Sequence, residues 1–113
     1  MANLYIASIY LSGIEGVEYL TALNSISIKK QIHKTLKDYI GAWYPEFFDK
    51  IRNTKTIDYI AEDDEEFYTL QINRIIKFLT RHEEINLSII EVYPTIQNNK
   101  ITEVQHDIIP LGG

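Results

Sequence analysis

The sequence predicts an α+β domain: a small, mostly antiparallel sheet of three to four strands with helices packed on one face. Three observations carry this prediction. The chain opens on an apolar run, Leu4 to Leu11; it holds a strongly periodic helical pattern between Phe67 and Leu79; and it closes on two strand-like segments joined through Asn98-Asn99. At 113 residues, 45% hydrophobic and 12% aromatic, the chain suits one domain spanning 1–113, with enough apolar matter for a core that needs no staple.

The elements follow in order. Leu4 to Leu11 is apolar except at Ser8, and its β-branched and aromatic content favours a strand. Apolarity on both faces predicts a central one. Ile14, Val17, Leu20 and Leu23 fall at helical spacing and predict a helix over Gly13 to Leu23, against the weakening effect of Gly13 and Gly16. A firmer helix is expected from Ser27 to Gly41, where Ile28, Ile32, Leu36, Tyr39 and Ile40 share one face. Ser25 or Ser27 can cap it and Gly41 can end it. Pro45 suits the first turn of a short helix through about Arg52, with Phe48 and Ile51 inward.

Thr56 to Ile60 reads as a short strand. Asp63 and Glu66 match a capping box at the entry of a helix running to about His82. Its apolar set, Phe67, Tyr68, Ile72, Ile75, Ile76, Phe78 and Leu79, covers about half of the circumference and predicts a position deep against the sheet. Leu87 to Tyr93 and Lys100 to Ile109 predict an antiparallel hairpin. Asn98-Asn99 tolerates the positive φ of a tight reversal, and Pro94 marks a strand end or bulge.

Composition narrows the chemistry. The chain has no cysteine, so disulfides, thiolate zinc sites and cysteine nucleophiles are excluded. No segment reaches the ~20 apolar residues of a membrane span, and the apolar start lacks the basic lead-in of a secretory signal. The expected location is the cytoplasm. A net charge of −5 argues against whole-surface binding to nucleic acid.

No catalytic constellation emerges. His33, His82 and His106 are far apart and form no H-E-x-x-H pair, so neither a metal nor another cofactor is expected. There is no G-x-S-x-G elbow, no phosphate-binding glycine loop and no D-x-D-x-D-G calcium spacing. No residue is assigned a catalytic role.

Three surfaces stand out. Glu62, Asp63, Asp64, Glu65 and Glu66 form an acidic run that exceeds what complementing a helix dipole requires; Glu62, Asp63, Asp64 and Glu65 are its candidate contacts to a basic partner. Residues 29–55 hold seven Lys or Arg against three acids, and Lys30, Lys34 and Lys37 form one helical ridge that could touch phosphates. Trp43, Tyr44 and Phe47 belong to an aromatic corner, and exposed Trp or Tyr often anchors an interface. The terminal Gly112-Gly113 resembles that of ubiquitin-like carriers, which would imply activation of a free carboxylate. That resemblance covers Leu111 to Gly113 alone, and a single strand followed by helices departs from a β-grasp.

The sequence thus predicts a non-catalytic protein-binding module, an inhibitor, immunity-type protein or accessory factor that occludes a partner with a basic surface. A nucleic-acid-associated regulator acting through the lysine ridge is the second reading, and a small enzyme whose site escapes motif reading is the third. No membrane partner is expected. A homodimer is an option if the sheet leaves an edge open, for instance at the last strand.

Overall fold

The computed structural model describes residues 4–14, 16–52 and 65–109. Strand β1 (Leu4–Leu11) pairs antiparallel with β2 (Val17–Ala22) on one side and with β3 (Ile85–Gln97) on the other. Strand β4 (Lys100–Ile109) pairs antiparallel with β3, giving the order β2-β1-β3-β4. β1 is therefore central, as its two-sided apolarity predicts.

The helix expected over Gly13 to Leu23 is not formed. The segment turns back instead and pairs with β1, placing Tyr10 opposite Val17 and Tyr5 opposite Ala22. Gly16, at φ +88°, takes a left-handed backbone that a side chain would strain. The i, i+3 spacing of Val17 and Leu20 is genuine, but Val17, Tyr19 and Thr21 also suit a pleated edge, and β1 supplies the partner that decides the matter. A hairpin thus precedes the main helix, so the stated departure from a β-grasp does not hold. Gly112 and Gly113 lie outside the described residues.

Helix α1 (Ser25–Trp43) is capped by Asn24, whose Oδ1 accepts from the Ser27 N–H at 2.8 Å. The cap is thus neither of the serines expected. The helix also continues past Gly41 to Trp43, and the Phe48 ring lies 3.4 Å from where a Cβ at Gly41 would sit. Helix α2 (Pro45–Arg52) starts at proline as predicted, and Phe48 packs against the core. Helix α3 (Glu65–Leu79) buries Ile72, Ile75 and Leu79. It stops three residues short of His82, where turn hydrogen bonds to Ile76, Phe78 and Leu79 carbonyls take over. The strand expected at Thr56–Ile60, the Asp63 cap and the side chain of Ile51 lie outside the described residues.

The core is one cluster. Ile28, Ile32, Leu36 and Ile40 of α1 meet Ile72, Ile75 and Leu79 of α3 over Ala7, Ile9, Leu11 and Ile89 of the sheet. α1 lies against β1 and β2 while α3 runs alongside α1, so α3 reaches the sheet through side chains and not by lying on it.

The second hairpin forms around Asn98 and Asn99, at φ 52° and 63°, as predicted. β3 is longer than expected, and Pro94 sits inside it, opposite Val104. The reason is local. Among the described residues β1 pairs with β3 no further than Val92, and Pro94 lies beyond that point, where the missing N–H breaks no described β1–β3 pairing. The bulge falls one residue later, between Thr95 and Ile96. The ribbon past Val92 extends the molecule to 54 × 34 × 22 Å.

Strand alternation separates the two sheet faces. Ala7, Ile9, Leu20, Leu87 and Ile89 face the helices. By the same register, so do Glu18, Glu91, Glu103 and Asp107. The opposite face carries Leu4, Ile6, Tyr10, Tyr19, Ile90, Val92, Val104 and Ile108, with Ser8 and Ser88 hydrogen-bonded across its middle.

Candidate functional site

The aromatic run assembles a groove where α1 hands over to α2. Tyr44 leaves the helical conformation at φ −136°, ψ 62°, and its N–H closes α1 on the Ile40 carbonyl at 2.8 Å. This break lets Trp43 and Phe47 flank one opening. Phe47 stacks on Phe78 of α3, with ring centres 3.7 Å apart and planes within 3°. Tyr44 meets Phe78 edge-on at 5.3 Å, and His82 lies 4.5 Å from Phe78 and 5.6 Å from Tyr44. The groove has a volume of about 380 Å³, with Glu46 and Lys50 also lining it. Trp43 remains 64% exposed.

A carboxylate anchors the groove from beneath. Glu83 accepts hydrogen bonds from the Tyr39 hydroxyl at 2.6 and 2.8 Å and from the Tyr44 hydroxyl at 2.6 Å. The Gly13 N–H donates to it at 3.4 Å. Burial acts to raise the Glu83 pKa, but the hydrogen bonds from Tyr39, Tyr44 and Gly13 overcome this and hold it below the ordinary carboxylate value. Burial and the same carboxylate push the Tyr39 hydroxyl up. A side chain at position 13 would not fit, since its Cβ would lie 2.4 Å from the Tyr39 oxygen. The tie therefore links the β1–β2 turn, α1 and the α3–β3 turn.

Glu83 is ionised and already engaged by donors, so it fixes Tyr44 in place. The groove above is apolar and aromatic, with one acid and one lysine at its rim. Exposed aromatic side chains beside an apolar groove are a common feature of protein interfaces.

The other predicted residues are placed differently. Glu62, Asp63 and Asp64 lie outside the described residues. Glu65 serves the fold: it accepts from the Ser25 hydroxyl and pairs with Lys29 at 3.4 Å, tying α3 to α1. The Ser25 hydrogen bond, joined by the Lys29 charge, outweighs burial and lowers its pKa. On the lysine ridge, Lys34 pairs with Asp38 at 3.8 Å and Lys30 stands 5.8 Å over the Tyr68 ring. His33 packs edge-on against Phe67 and Tyr68, and burial, then the Lys37 charge, lowers its pKa. Among the described residues no three His, Asp or Glu side chains converge as metal ligands, and no helix is long and apolar enough to cross a membrane.

Sequence reading missed two groups. Phe78, His82 and Glu83 join Trp43 and Tyr44 only through the fold. The second is a polar cluster on the helix side of the sheet, where Glu91 faces Asp107 and accepts from Tyr5 at 2.9 Å and Tyr93 at 2.7 Å. Strand register creates it, and no spacing in the sequence announces it. No protein-family model, no curated protein and no solved structure matches the chain.

Proposed function

We propose that the protein is a non-catalytic protein-binding module, an inhibitor or immunity-type accessory factor acting in the cytoplasm by occluding its partner. One observation carries this reading: Trp43, 64% exposed, stands at the mouth of a groove floored by the Phe47–Phe78 stack. A large ring held by packing loses little conformational freedom on contact, which is why such residues dominate interface energetics. The partner's contact surface is basic, in keeping with the net charge of −5 and the acidic run, which would accelerate encounter.

The test is a pull-down from the native host with three proteins: wild type, Trp43→Ala, and Asp63→Ser with Asp64→Ser. Glu65 is left intact because it ties α3 to α1. A partner retained by wild type should be lost by W43A and recovered less well, at raised salt especially, by the acidic double variant. Equal recovery of every protein by W43A would remove the groove from the proposal.

A further inference from the structure

The sheet face opposite the helices has the wrong composition for a surface meant to meet water. In an α+β sheet the helix side is ordinarily apolar and the open side charged. Here the acidic residues of the strands, Glu18, Glu91, Glu103 and Asp107, all point to the helix side by register. Among the described residues, as far as the bulge at Thr95/Ile96, the open side carries no Asp, Glu, Lys or Arg, and His106 is its one imidazole. Among the described residues, Tyr19, Val104 and Ile108 of this face are exposed, Ile108 by 75%. Ile6, Ile90 and Val92 are half-buried beside them by their own sheet neighbours.

We infer that two copies of the chain stack through these faces, making a homodimer of two packed sheets with helices on the outside. Two arguments single out a second copy as the occupant. The first is charge. Each chain carries −5, so any contact through an acidic surface sets like charges in opposition. In a two-fold interface each residue meets the same patch of its partner, and a patch free of charge escapes that penalty. This face is such a patch, and a uniformly uncharged surface has no means of selecting a charged partner.

The second argument is area. The four strands hold 8, 6, 13 and 10 residues, which at about 4.8 Å between strands and about 3.3 Å per residue give roughly 590 Å². Two copies thus bury roughly 1,200 Å², at the lower end of the range of stable specific interfaces. Sheets packed this way lie about 10 Å apart with strands crossing near −30°. The contact leaves the aromatic groove free, since the groove belongs to the helical layer, so the inference stands apart from the proposed function.

The experiment is sedimentation equilibrium on the full chain across micromolar concentrations. The expected mass is twice the 13.2 kDa of one chain. Two variants locate the contact: Ile108→Glu on β4, and Tyr19→Lys on β2 at the far edge of the same face. Both side chains are exposed in the single chain, so both variants should keep the wild-type circular dichroism and cooperative melt. Each should weaken the dimer at least tenfold, while Ile14→Glu, exposed but in the β1–β2 turn, should not. A monomeric wild type would overturn the inference. So would a dimer that resists Y19K, since that result would mean edge pairing through β4 or another surface.

Discussion

Glu83 shows how a single side chain can hold three segments together. With its pKa lowered in the folded state, it stabilises the fold above its unfolded value, near 4.5. That contribution is lost as pH falls through the lower folded value. Glu83→Gln should therefore cost about 1–2 kcal/mol at neutral pH, the worth of charge-assisted hydrogen bonds discounted for partial exposure. The deficit should narrow below pH 4, where wild type loses the same advantage; urea melts at pH 7 and pH 3 measure both. Gly13→Ala should be destabilising through its clash with the Tyr39 oxygen, and much less so when Tyr39→Phe has removed that oxygen. A double-mutant cycle should find a coupling of about 1 kcal/mol between the two sites. Trp43, Tyr44 and Phe47 were legible in the sequence because they are contiguous. Glu83 and Gly13 were not, because their meaning lies in an approach between residues 70 apart in the chain.

At the scale of elements, burial pattern and turn chemistry carried the reading further than spacing did. β1 was recognisable as central because a strand paired on both edges and packed on both faces must be apolar throughout. α1 and α3 were recognisable because their apolar stripes face one core. β2 was misread because six residues hold too few repeats to separate a period of 2 from one of 3.6, and the pairing with β1 is not local information. The Asn98-Asn99 reversal was legible because few side chains accept positive φ. It also predicts an improvement. Asn99→Gly should relieve the strain at φ 63° and raise stability by about 0.5 kcal/mol, seen as a higher melting temperature with an unchanged spectrum.

At the scale of the whole molecule, the strand acids lie on the helix side, with Glu18, Glu103 and Asp107 exposed at its margins, and the open side is left without charge. If stacking of two copies satisfies that open side, stability becomes a function of concentration, because association favours the folded chain by mass action. The thermal midpoint of wild type should climb between 2 and 200 μM, roughly by the few degrees that ~1–2 kcal/mol produces in a domain of this size. That of I108E should stay level. None of this was visible in the sequence, where the last strand reads as an ordinary alternation and only the register shows which half of it faces the helices.

The central position of β1 has a consequence in time. Its neighbour β2 follows at once, but β3 arrives with Ser88 lying 80 residues beyond its partner Ser8. A ribosome adding ~5–20 residues per second needs roughly 4–16 s to cover that distance. Throughout that interval the most apolar strand of the chain waits with one edge unpaired. The pairing that covers this edge thus waits until the helices between have been made, and only β4 is added after it.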